Sequence, residues 1–101
     1  MKLRISEQAR SDFRAIGDFI AEDDPRRALS FVDELEDRCR QLTEKPLIWP
    51  RVDRFPEVRR RLHKRYLILY RVVSDEVEVL HVVHGARNYA SLLGDEDQRE
   101  E

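Results

Sequence analysis

A chain of 101 residues has room for one domain with a single core, and none for a second catalytic or regulatory unit. Charged residues make up 40% and apolar residues 41%, and no apolar run approaches a membrane span, so the composition predicts a soluble protein with an ionic surface. The net charge of −2 conceals segregation: residues 7–44 carry 11 acids and 6 bases, residues 51–71 carry 8 bases and 2 acids, and residues 95–101 carry five acids and one base, so the overall balance does not exclude an anionic partner.

Leu3 and Ile5 alternate with Lys2 and Arg4, as in a short strand with one face inward. This alternation is unlike the apolar core of a signal peptide, which predicts a cytoplasmic protein. Ser6 fits a helix N-cap, after which Ala9, Phe13, Ile16 and Ile20 recur along one helical stripe, with Asp12, Arg14 and Asp18 mainly on its outer side. Asp24 and Pro25 open a second helix, because Asp24 can accept from an orphan amide and Pro25 loses no hydrogen bond in the first turn. Its stripe is Ala28, Val32, Leu35, Cys39 and Leu42, broadened by Phe31, and the short connection makes the two helices an antiparallel hairpin whose inner face needs a sheet. Cys39 has no disulfide partner and reads as a small buried hydrophobe. No set of side chains has metal-ligand spacing, so neither metal nor cofactor is expected.

Pro46, Pro50 and Pro56 predict a connecting loop from Lys45 to Glu57, with Ile48, Trp49 and Phe55 pinning it to the body. Three strands follow, Val58 to His63, Tyr66 to Val73 and Val77 to His84, with a turn at Ser74 to Glu76. Tyr66, Ile68, Tyr70 and Val72 share one face while Leu67, Leu69, Arg71 and Val73 share the other; two largely apolar faces predict the central strand. In the last strand Val77, Val79, His81 and Val83 are expected to oppose Glu78, Leu80, Val82 and His84. Tyr89 to Leu93 reads as a short helical turn. A single domain over residues 1–94, followed by a flexible acidic tail at 95–101, is expected. The order strand-helix-helix-strand-strand-strand predicts an α+β fold, a helical hairpin packed on a mainly antiparallel sheet.

Arg59, Arg60, Arg61, Lys64 and Arg65 form the densest basic cluster. Strand alternation sends Arg59 and Arg61 to one face and Arg60 to the other, so they do not form one patch. Two readings stand: a solvated edge that resists aggregation or pairs with the acidic hairpin, and a surface for an anionic partner. His81 and His84, three apart in a strand, face opposite sides and make no simple metal pair; each reads first as a hydrogen-bonded structural residue.

The segments Ala9-Arg10-Ser11-Asp12-Phe13-Arg14-Ala15-Ile16, Phe19-Ile20-Ala21-Glu22-Asp23-Asp24-Pro25, Arg65-Tyr66-Leu67-Ile68-Leu69-Tyr70-Arg71-Val72 and His81-Val82-Val83-His84-Gly85-Ala86-Arg87-Asn88, in this order, closely resemble the ParE/RelE toxin superfamily, and most of all its ParE-like branch. The resemblance implies the toxin of a type II toxin-antitoxin module. It also implies a smaller ParD-like antitoxin that folds over the hairpin and sheet and alone contacts operator DNA. ParE-like members bind and poison DNA gyrase without a recognised active site, whereas RelE-like members cut mRNA in the ribosome. In the RelE pattern an arginine follows the aromatic that opens the central strand, and a tyrosine lies six residues beyond the arginine of the last strand. Leu67 and Leu93 stand there, leaving only Arg87, which counts against nuclease activity because leucine neither holds a phosphate nor moves a proton. For a toxin of this kind the candidate target or antitoxin contacts are the basic residues Arg59, Arg60, Arg61, Lys64, Arg65 and Arg71, together with Arg87, the position that the family motif retains and that could equally anchor the C-terminus; no membrane partner is expected. The alternatives are a nuclease using Arg87 with His63, His84 or Tyr89, and a non-toxic binding module.

Overall fold

The structure is a computed structural model and describes residues 1–85 and 89–94. Strand β1 (Lys2–Ile5) leads into helices α1 (Glu7–Ala21) and α2 (Pro25–Gln41), then β2 (Arg51–Val52), β3 (Phe55–His63), β4 (Tyr66–Val73), β5 (Glu76–His84) and a 3-10 turn over Tyr89–Leu93. Both helices start where the sequence places a cap. Ser6 Oγ accepts the Ala9 N–H at 3.0 Å and donates to the Leu80 carbonyl at 3.0 Å, so the α1 cap also ties the helix to β5. Asp24 accepts the Arg27 N–H at 3.1 Å, and Pro25 occupies the first turn of α2.

The sheet order is β1-β5-β4-β3-β2, with β1 parallel to β5 and the other pairs antiparallel. As its two apolar faces require, β4 is central. Its Ile68 and Tyr70 join Phe13, Ile16, Phe31, Leu35 and Cys39 in the core beneath the helices. Its Leu67 and Leu69 join Val52, Val58 and Val83 in a second core on the opposite face, against which Tyr89, Leu92 and Leu93 pack. The sheet is thus covered by the hairpin on one side and the 3-10 turn on the other. Among the described residues no helix is long and apolar enough to cross a membrane.

Three local expectations are corrected. First, β3 begins at Phe55 and a short β2 precedes it, where the prolines predicted loop throughout. Pro56 fits because the β4 ladder starts only at Val58, so its missing N–H breaks no bond there. Second, the alternation of β5 breaks at a bulge: Tyr70 faces Val79 and Leu69 faces His81, leaving Leu80 unopposed. Val77, Val79 and Val82 consequently lie in the core under the helices, and Leu80 and Val83 lie with the opposite core. Third, Trp49 and Phe55 pack inward but Ile48 is 63% exposed and pins nothing.

Candidate functional site

The basic residues singled out in the sequence have unlike fates. Arg59 donates to the carbonyls of Leu47 (3.1 Å) and Trp49 (2.7 Å), and Arg60 to that of Arg51 (2.7 Å). Arg61 donates to the Arg38 carbonyl at 3.1 Å and to Gln41 Oε1 at 3.0 Å, with its guanidinium 4.6 Å over the Trp49 ring. Burial, and then the charge of Arg38, lowers its pKa. Arg71 bonds Glu78 at 2.8 Å. These four hold the segment after α2, the end of α2 and the β4–β5 pair. Lys64 and Arg65 differ: they form the exposed tip of the β3–β4 hairpin, and neither side chain has a polar partner among the described residues. Lys64 takes the left-handed backbone (φ 57°) that a two-residue hairpin demands. The Arg65 carbonyl accepts the Gly85 N–H at 2.7 Å, which locks the tip to the end of β5. Arg87 lies outside the described residues.

Behind the tip runs a chain of rings. Phe31 lies 5.6 Å from His63 and 5.5 Å from Tyr66, and Tyr66 meets His84 edge-on at 5.6 Å. Arg27 stacks 5.0 Å over Phe31 and grips Glu34 at 2.6 Å, and Glu34 reaches His63 Nε2 at 2.9 Å. The hydrogen bond from Arg27, and then that from His63, hold the Glu34 carboxyl down at about 2. His63 is itself only 8% exposed. His81 lies away from this chain, 3.6 Å from Asp12, whose carboxylate accepts the Val82 N–H at 2.9 Å and the Gln8 amide at 2.9 Å. Burial alone would raise the Asp12 pKa, but the neighbouring His81 ring and the hydrogen bonds from Val82 and Gln8 lower it.

Ile20, Arg27, Phe31, Lys64, Arg65 and Tyr66 line a groove of about 340 Å³. Across Tyr66 a recess of about 190 Å³ continues it along Ile16, Phe19 and His84, with Phe19 67% exposed. The combination is an aromatic floor with a cationic lip, suited to an apolar side chain beside a carboxylate or phosphate. As a nuclease site it is poorly equipped. His63 is buried against Glu34, and Tyr89 packs on the far face of the sheet, so the described members of the alternative nuclease set do not converge. Among the described residues no three metal-ligating side chains come together. Sequence reasoning missed Arg27, Glu34 and Phe19; the spacing Arg27, Phe31, Glu34 along one face of α2 was the available signal for two of them.

The family model described as the ParE toxin of the type II toxin-antitoxin system parDE matches residues 3–89, a span that includes the whole groove. The chain belongs to the ParE toxin family. Two solved structures share the fold of this ParE toxin. A chromosomal ParDE toxin-antitoxin system from P. aeruginosa is 24% identical, with a TM-score of 0.74 over 83% of this chain and 95% of that one. The toxin-antitoxin complex RelBE2 from Mycobacterium tuberculosis is 23% identical, with a TM-score of 0.53 over 82% of this chain and 95% of that one. At these identities the likeness is one of fold. No curated protein matches the chain. The superfamily and the hairpin-on-sheet fold expected of this ParE toxin from its sequence are both borne out.

Proposed function

We propose that this ParE-family toxin acts by binding DNA gyrase in the cytoplasm, and that a cognate ParD-like antitoxin silences it by laying a segment into the groove at the hairpin tip. The observation that carries the reading is the contrast among the cations: Arg59, Arg60, Arg61 and Arg71 are committed to internal bonds, whereas Lys64 and Arg65, beside Phe31 and Tyr66, have no polar partner among the described residues. An antitoxin segment that folds on binding would set an apolar anchor on the rings and carboxylates against the cationic lip. Operator DNA would be reached through the antitoxin.

Action by binding is favoured over cutting by three placements: Leu67 and Leu93 in place of ionisable groups, His63 held by Glu34, and Tyr89 on the opposite face. The test is a gyrase supercoiling assay beside ribosome-dependent mRNA cleavage, both with the purified toxin. Gyrase inhibition with intact mRNA supports the proposal. Cut mRNA with unaffected gyrase overturns it in favour of a nuclease, and silence in both overturns it in favour of a non-toxic binding module. In parallel, Lys64→Ala and Arg65→Ala together are expected to weaken antitoxin binding at least about tenfold, since charge-assisted bonds at an interface contribute roughly 1.5–3 kcal/mol each.

A further inference from the structure

The bulge at Leu80 decides which face of the sheet receives His84. Regular alternation after Val79 would send His84 to the same face as Leu80, away from the helices; the shifted register instead pairs it with Tyr66, whose ring it meets edge-on. His84 and Phe19 are both exposed and line the recess on the far side of Tyr66 from the groove. The rings of Phe31, Tyr66 and His84 thus follow one another at steps of 5.5 and 5.6 Å, from beneath the Arg27 guanidinium to the open recess.

The charges beside this row identify the ligand. The charged side chains that line the groove are Arg27, Lys64 and Arg65, all cations, and Glu34, which holds Arg27, lies outside the lining. Asp12 is the one acid among the described residues lining the recess, and its carboxylate already accepts the Val82 N–H and the Gln8 amide. The bond from the Gly85 N–H to the Arg65 carbonyl ties the cationic lip to the end of the strand that carries His84, so lip and rings are in place before a ligand arrives. A protein anchor needs one hollow and one cation. Successive rings beside successive cations match the repeat of a polynucleotide, in which every base is accompanied by a phosphate. A duplex keeps its base faces stacked inside, so only an unpaired strand offers both parts at once.

We infer that the free toxin binds single-stranded nucleic acid along the groove and recess, with bases stacked on Tyr66, His84 and Phe19 and phosphates against Lys64 and Arg65. The strand is held and not cut. With two lip cations on the backbone, affinity falls with salt at a logarithmic slope of about −1.4, which is about sevenfold between 50 and 200 mM. A strand and an antitoxin segment in this groove exclude one another. Strand binding itself needs neither gyrase nor an antitoxin, so it and gyrase inhibition succeed or fail separately.

Fluorescence anisotropy of a labelled oligothymidylate roughly 15 nucleotides long, titrated with the purified chain, tests this, with thermal melts to verify that each variant is folded. Binding is expected between about 1 and 100 µM in about 50 mM salt. An abasic strand of the same length should bind at least about tenfold more weakly, because it has phosphates and nothing to stack. Phe19→Ala, at an exposed position, should weaken binding about tenfold and leave the salt slope unchanged. Lys64→Ala with Arg65→Ala should weaken it and bring the slope close to zero. No binding up to about 1 mM overturns the inference. So does an abasic strand or a duplex that binds as tightly as the single strand, or a Phe19→Ala protein of undiminished affinity. An oligoglutamate that displaces the label as well as unlabelled oligothymidylate does also overturns it, in favour of an acidic protein segment as the occupant.

Discussion

The phenol of Tyr70 is inaccessible to solvent in the middle of the sheet, yet its hydroxyl reaches the Pro46 carbonyl. Tyr70→Phe would leave that carbonyl without its partner, and a loss of about 1–2 kcal/mol in urea unfolding is expected. Burial pushes the Tyr70 hydroxyl up to about 12 and the Cys39 thiol, from its ordinary 9.0, also to about 12. Both groups keep their protons longer when folded than when unfolded. Their contribution is therefore complete below about pH 9 and is lost as the pH rises from there through 12. Unfolding midpoints measured from pH 7 to 11 should fall at the alkaline end, and Cys39→Ala should remove the earlier part of the fall. Glu34 behaves oppositely. Held at about 2 by Arg27 and His63, it contributes fully above its ordinary 4.5 and progressively less as the pH drops toward 2, so Glu34→Gln should flatten the acid limb. Cys39 was legible from the sequence because an unpaired cysteine on an apolar stripe has few alternatives. The bond from Tyr70 to Pro46 was not, since it joins residues 24 apart through a loop whose path no periodicity encodes.

Between elements, Asp12 does the least expected work. Its position on the outer side of the first helical stripe suggested a solvated residue, but β1 pairs with β5 only up to Val79, and the Val82 N–H beyond that point is completed by the Asp12 carboxylate of α1. Asp12→Ala is expected to cost about 1–3 kcal/mol by leaving that amide unpaired, and to speed hydrogen exchange at Val82 selectively; Asp12→Asn, which keeps an acceptor, should lose much less. Equal destabilisation by both variants would show that the charge, not the acceptor, matters. The helices, their caps and the central place of β4 could be read directly, because stripe, cap residue and two-sided apolarity are local signals. The bulge at Leu80 could not, because a register shift is set by the pairing of β4 with β5 and leaves each strand's own composition unchanged. Nor could β2, whose two residues are too few to show alternation.

Over the whole molecule, the segregated charge is divided between a cationic groove past the end of β3, lined by Arg27, Lys64 and Arg65, and a recess of mixed charge near its start, lined by Arg51, Glu57 and Arg59. Counting bases along the sequence located the basic region but not its free members, since whether an arginine meets a carbonyl or open solvent depends on the fold. An antitoxin seated in the groove should associate more slowly as salt rises, by about tenfold between 50 and 300 mM, and less steeply for the Lys64→Ala, Arg65→Ala protein in stopped-flow experiments. The pairing of β1 with β5 has a further consequence. Leu3 and Ile5 find Val77 and Val79 each 74 positions further along the chain, so a nascent chain holds its first strand without a neighbour until the last strand is made. Polypeptides released early by the ribosome cannot close the sheet and carry no folded toxin. Closure of the sheet is thereby tied to synthesis of the last strand, and a chain cut short before Val77 lacks the neighbour that its first strand requires.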